Sequence, residues 1–261
     1  MEIRFLNGKT KKFNTLEMKN LTDVDLSNAQ LAGENLSRAN FKGGCMYAAN
    51  LRGANLQGAN LQGVDLAFAD LRGANLRGAD LQGADLSNAN MREADLTGVK
   101  MSHANLTEAD LGYADMRDTD LQCASLESAD LRDVNLEKSD LRHVNAKEAI
   151  FERSNLRSAD ISDAIFVGVN MKFVCLESAK LDDAYLKRAT LEGANLRNAT
   201  FLNANLRGAD LTFADLRGAN LQGADLPGVD LWRADLESAD FEGADLTGAD
   251  VTGTVLDKEQ E

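Results

Sequence analysis

From Leu21 to Leu256 every fifth residue is apolar, in one register of 48 consecutive pentads without an insertion or deletion. All of these centres are Leu, Met, Phe, Ile or Val except Ala146. A small residue, usually Ala, stands two before most centres, and Asp or Asn stands one before. Ala54-Asn55-Leu56-Gln57-Gly58 and Ala79-Asp80-Leu81-Gln82-Gly83 show the unit. A period of five fits neither the 3.6-residue turn of an α-helix nor the plain alternation of a strand. The centre and the residue two before it share strand alternation, so both point to one interior. The rest of the pentad must then include a corner that brings the next pair back to that interior. Of the 21 glycines, 18 lie two after a centre, where a tight turn asks for positive φ and Gly supplies it without steric cost. The unit is a short strand plus a tight turn, repeated.

This pattern resembles the pentapeptide-repeat family over about residues 16–256. The resemblance implies an all-β fold, a right-handed quadrilateral parallel β-helix (a solenoid) of about 12 coils with four pentapeptides per coil. At ~4.8 Å between stacked strands the rod would be roughly 55 Å long. A coil cannot bury its own Leu and Ala layer, so stability comes from stacking on neighbours.

Residues 1–15 lie outside the register. Ile3-Arg4-Phe5-Leu6 and residues 9–13 flank Asn7-Gly8, a strong two-residue hairpin signal. The expectation is an N-terminal β-hairpin cap over the first coil, with Ile3, Phe5 and Phe13 as lids. Residues 257–261, a charged C-terminal tail, are too short and polar to cover much of the other end. The three cysteines, Cys45, Cys123 and Cys175, have no paired spacing, which fits a reduced setting. No apolar run suits a signal peptide or a membrane span, so a cytoplasmic location is expected.

Charge is uneven along the chain. Residues 1–60 hold 8 basic and 5 acidic side chains, residues 61–204 hold 16 and 24, and residues 205–261 hold 4 and 13, within a net −14. The acidic end places Asp one before the centre again and again. With four pentads per coil, Asp210, Asp230 and Asp250 would stack in one column, and Asp225 and Asp245 in another. Stacked like charges repel, so an acid where Asn would pack as well has a cost unless a cation or partner answers it. It reads either as solubility with a charged end that discourages edge-to-edge aggregation or as a surface presented to a basic partner.

Catalytic constellations are missing: no Gly-rich phosphate loop, nucleophile elbow or Cys-x-x-Cys pair is present, and His occurs only at His103 and His143. His103, Cys123 and His143 share one turn column, but stacked turn residues point outward in parallel rather than converging as metal ligands must. The chain is read as non-enzymatic, with no cofactor and no metal.

Function in a repeat protein is sought where the surface departs from the repeat. Ile150, Ile165, Cys175, Lys180, Tyr185 and Thr190 replace the Asp or Asn before the centre. Ile165 and Tyr185 are one coil apart, with Val167 beside them. Tyr113, Phe173 and Phe213 share one turn column with Arg153 and Arg233, and Trp232 adjoins Arg233. Aromatics with Arg are the compositional mark of contact hot spots. Two functional readings follow. One is a structural or protein–protein interaction rod, whose partner is another protein rather than nucleic acid or membrane. The other, implied by the resemblance, is an acidic DNA mimic that binds a type II topoisomerase such as DNA gyrase. Three features stand against the second. The C-terminal dimerisation helix of the family's gyrase-protecting members is lacking, register-breaking loops are lacking, and the segment 1–60 is net basic. The polarity of charge also allows end-to-end self-association, which a capping hairpin would oppose.

Overall fold

The computed structural model describes residues 2–5, 10–12 and 20–257. Through the repeats the chain forms a parallel β-helix. The residue before each centre makes a parallel bridge to its counterpart one coil on, from Asn20 with Asn40 to Asp230 with Asp250. Bridges start at Asn20, Asp25, Gln30 and Asn35 before Asn40 begins the next round, so each coil has four short sides. No helix among the described residues is long and apolar enough to cross a membrane.

The pentad from Asp70 to Ala74 shows what holds a side. The Asp70 N–H donates to the Ala49 carbonyl (2.9 Å), the Leu71 N–H to Asn90 (2.7 Å) and the Gly73 N–H to Arg92 (2.9 Å). The Ala74 N–H closes the turn on the Leu71 carbonyl at 2.9 Å. That bond with a left-handed residue at its third position defines a type II turn. The third residue of every such turn, from Asp23 to Gly253, has φ between +52° and +77°. Glycine is the occupant the sequence leads one to expect, yet 29 of these corners hold another residue, Phe68, Tyr113, Phe173 and Phe213 among them. Stacking hydrogen bonds on both sides impose the left-handed conformation, so Gly eases the corner without being required for it.

Centres and the small residues two before them form one continuous core. Leu71, Ala74, Leu131 and Phe201 have no solvent exposure. Thr119, Ser139 and Ser154 replace Ala in this layer and remain buried. Their hydroxyls donate to turn carbonyls, Ser139 to Met116 at 2.7 Å and Thr119 to Met116 at 2.6 Å. For Ala146, the one small centre, the sequence suggests compensation by Val144 of its own pentad. Val144 is buried, and so are two large residues nearby. Phe166 occupies the same column one coil on, and its ring meets that of Phe151 at 5.4 Å between centroids.

Strand β1 (Glu2–Phe5) pairs antiparallel with β2 (Thr10–Lys12), placing Glu2 opposite Lys12 and Arg4 opposite Thr10. Its other edge pairs antiparallel with β3 (Ala29–Gln30), a side of the first coil. The Asn7-Gly8 turn and Phe13 lie outside the described residues, as do the side chains of Ile3 and Phe5. Leu21, Leu26, Leu31 and Leu36 are nonetheless buried. At the opposite end Phe241, Ala244 and Leu246 are only partly buried.

Candidate functional site

The position before the centre works first as a cap. Oδ1 of Asp or Asn accepts the N–H of the residue after the centre, as Asp70 does from Arg72 (3.2 Å) and Asn75 from Arg77 (3.1 Å). This is an Asx turn, available in principle from the sequence. Along a column, Asn also donates to the previous coil, Asn55 to Asn35 at 3.2 Å and Asn155 to Asn135 at 3.0 Å. Asp lacks that donor.

Arginine after the centre answers many of the acids. Arg72, Arg117, Arg142 and Arg217 fork onto Asp70, Asp115, Asp140 and Asp215 of their own pentads at 2.6–2.9 Å. Arg132 does the same with Asp130. Arg72, Arg117 and Arg217 hold the carboxyls of Asp70, Asp115 and Asp215 below the usual carboxylate range. At Asp130 and Asp140 burial pushes the other way, but the bonds from Arg132 and Arg142 outweigh it. A carboxyl depressed in the folded state stabilises fully above its unfolded pKa and loses that contribution as pH falls through the folded value. The unfolding midpoint is therefore expected to hold steady from pH 7 to about pH 4 and to fall steeply below it. A thermal-unfolding series in pH, with Arg117→Gln showing a shallower fall, checks this.

The expected acidic surface is partly answered in the same way. Thr212, Trp232 and Thr252 donate their N–H groups to Asp210 (3.0 Å), Asp230 (2.9 Å) and Asp250 (2.9 Å). Both the hydroxyl and the N–H of Thr247 reach Asp245 and hold its carboxyl low. Asp225 precedes Leu226 and Pro227, which has no N–H to give, and has Arg207 at 3.7 Å instead. Among the described residues, no cationic group lies within ion-pair distance of Asp210, Asp230, Asp245 or Asp250. Asp210, Asp230 and Asp250 are bridged in succession, so the predicted column exists.

Phe173, Phe213 and Trp232 gather on one corner. Phe173 is 55% exposed and its ring covers Gly193 of the next coil, where a Cβ would meet it at 2.7 Å. One coil beyond, Phe213 (50% exposed) meets Trp232 edge to face at 4.8 Å. The Arg233 guanidinium lies over the Trp232 ring at 4.6 Å, and its stem lies over Gly253. Phe173, Phe213, Trp232 and Arg233 thus form one ridge along the rod. Tyr113 stands apart on the same corner under the Arg92 guanidinium at 5.1 Å. Between them Arg153 is engaged by Asp133 at 2.9 Å. Ile165 and Tyr185 lie elsewhere, bridged to each other on a flat side and both exposed.

Sequence reasoning passed over Tyr47 and Phe68, whose rings meet at 5.6 Å. Their spacing of one coil plus one residue is the mirror of the Phe213 and Trp232 spacing and was readable. Of the shallow surface grooves, one lined by Arg52, Arg72, Arg92 and Glu93 measures about 410 Å³. His103, Cys123 and His143 stand exposed in their column. Among the described residues no group of three or more His, Cys, Asp or Glu is placed to hold a metal.

A stack of five-residue units with four sides per coil and one uninterrupted core defines a β-solenoid. The sequence matches the model of pentapeptide repeats, in eight copies falling within residues 20–58, 59–98, 100–137, 135–172, 175–212 and 214–253. The chain belongs to the pentapeptide-repeat family. No curated protein matches it. Among solved structures it is similar to HetL, a pentapeptide repeat protein involved in heterocyst differentiation regulation from the cyanobacterium Nostoc sp. strain PCC 7120. That match has 30% identity over 90% of this chain and 88% of HetL, with a TM-score of 0.46. QnrB1, a plasmid-mediated fluoroquinolone resistance protein, is 20% identical over 72% of this chain and 89% of its own, with a TM-score of 0.33. Rfr23 from the cyanobacterium Cyanothece 51142 is 35% identical over 39% of this chain and 63% of its own, with a TM-score of 0.29.

Proposed function

We propose that this chain is a non-enzymatic interaction rod, a right-handed quadrilateral helix of about 12 coils closed at its first end by the hairpin. Its contact surface for a protein partner is the ridge of Phe173, Phe213, Trp232 and Arg233. The observation that carries this reading is the ridge itself. Phe213, Trp232 and Arg233 touch in sequence across neighbouring coils, and Phe173 covers Gly193 in the coil before Phe213, on a corner where the repeat is content with a small residue. Large rings fixed by their own packing, with Arg, are the side chains that dominate contact energies. Quantitative affinity capture with the parent chain and with Phe213→Ser/Trp232→Ser tests it. A stoichiometric protein held by the parent and weakened at least ~30-fold by the double substitution is expected, as for hot-spot residues. Undiminished capture would remove the ridge from the reading.

A second reading, the DNA mimic, draws on the acidic end. Residues 205–261 carry a net −9 over about three coils, or ~14 Å, and duplex DNA carries one charge per ~1.7 Å of axis. The densities agree there, but over a length of only about four base pairs. Residues 61–204, net −8 over roughly 35 Å, fall well short of it. A gyrase supercoiling assay with the parent and with Asn at positions 210, 225, 230, 245 and 250 separates the readings. Inhibition lost in the substituted chain would favour mimicry, and no inhibition would leave the interaction rod.

A further inference from the structure

Ile165 and Tyr185 occupy positions where the repeat supplies a turn cap. Asn145 and Asn205, before and after them in the same column, accept the N–H groups of Lys147 (3.3 Å) and Arg207 (3.2 Å). Apolar side chains cannot, and among the described residues the N–H groups of Val167 and Lys187 have no acceptor. Two neighbouring coils thus give up a cap and expose Ile165 and Tyr185 by 42% and 55%. A local rule broken twice side by side without compensation marks a functional surface.

The next corner adds charge. Lys187 and Arg188 are exposed, and among the described residues neither has a carboxylate within ion-pair distance. Arg188 has glycine on both sides in its column, Gly168 and Gly208; the Glu148 side chain leans over Gly168, but its carboxylate pairs with Lys147 rather than with Arg188. The opposite corner of this side carries Asp163 and Asp183. The side is therefore apolar at its middle, basic and unpaired along one edge and acidic along the other. On a chain of net −14 a long polyanion is repelled overall. A short acidic segment can be held at this edge alone.

We propose that this side docks an extended protein segment with an apolar anchor, seated on Ile165 and Tyr185, followed by carboxylates that reach Lys187 and Arg188. Asp163 and Asp183 repel those carboxylates and so fix the direction in which the segment lies. The proposal rests on the interaction-rod reading but uses a different surface from the aromatic ridge.

Fluorescence anisotropy on the full chain tests it with labelled decapeptides, each a Leu-Trp anchor followed by three Glu, three Lys or three Ser. The Glu peptide is expected to bind at least tenfold tighter than the Lys peptide. Lys187→Glu with Arg188→Glu should remove that preference, and Ile165→Asn with Tyr185→Asn should abolish binding. The Asn variant regains both caps, so its melting midpoint should rise by about 2–4 °C, which separates lost contact from lost folding. Phe213→Ser/Trp232→Ser should bind the Glu peptide normally, so the ridge and this side stand or fall independently. Equal binding of the Lys peptide, indifference to charge reversal, or displacement of the Glu peptide by a ten-nucleotide oligothymidylate would overturn the proposal.

Discussion

Phe166→Ala is expected to destabilise the rod by about 3–5 kcal/mol, more than an ordinary Leu→Ala change in the same core. The reason lies one coil away. Ala146 is the only centre too small to fill its level, and Phe166 is the next residue in its column. Phe151 on the adjoining side completes the packing against Phe166 at 5.4 Å. All three are fully buried, so truncating Phe166 would leave two small centres stacked together and a cavity that rigid stacked coils cannot collapse. The converse change also costs stability. Ala146→Leu alone forces extra methylenes against the two rings and is expected to destabilise by about 1–3 kcal/mol. Ala146→Leu combined with Phe166→Leu restores the usual pair of centres and should regain most of what each of these two changes costs alone. Guanidinium unfolding of Ala146→Leu, Phe166→Leu and the double variant would show that strong non-additivity. Simple additivity would mean that the two sites do not share a packing layer.

The fold was legible because its signal is redundant. Any ten consecutive pentads state the same period, so a local departure such as Ala146 or Thr119 does not blur it. The faces were legible for the same reason: once four pentads make a coil, Phe213 and Trp232 must adjoin, as must Ile165 and Tyr185. The ends and the energetic role of single polar positions were harder to read. Spacing alone shows Asp before the centre as bare surface charge, whereas it caps a backbone N–H, an effect that depends on side-chain aim. Composition points to glycine as the corner residue, yet the coils above and below impose positive φ on Tyr113 and Phe173 as well. Arg72 folds back on Asp70 while Arg77 reaches forward to Asp95, and only the Asp or Asn before the centre tells the two apart. That rule is visible in sequence only after the geometry is known. The partner of the ridge is written in neither pattern nor packing, because a solenoid places almost no demand on a corner side chain.

Asp230→Asn is expected to stabilise the chain by about 1–2 kcal/mol at low salt, an unusual sign for a substitution at a hydrogen-bonded position. Asp230 stands between Asp210 and Asp250, with no cation within ion-pair distance among the described residues. Two unit charges about 5 Å apart in water repel by roughly 0.8 kcal/mol, and Asp230 has two such neighbours. Asn keeps the cap on the Trp232 N–H, because its Oδ1 accepts as the carboxylate does. It also gains a donor toward Asp210, as Asn105 already donates to Asp85 at 3.0 Å. Melting in low salt should rise by about 2–5 °C, and the gain should shrink in 1 M salt as repulsion is screened. Asp130→Asn supplies the opposite sign at an equivalent position. Asp130 is gripped by Arg132, so neutralising it breaks a fork and should cost up to about 1 kcal/mol. If both substitutions move stability the same way, the ion pairs do not govern these columns. If the signs differ as expected, the end of the rod carries charge that its own folding opposes. A column that would be more stable as Asn is then held acidic by something outside the fold, either the solubility that a charged end confers or a basic surface on a partner.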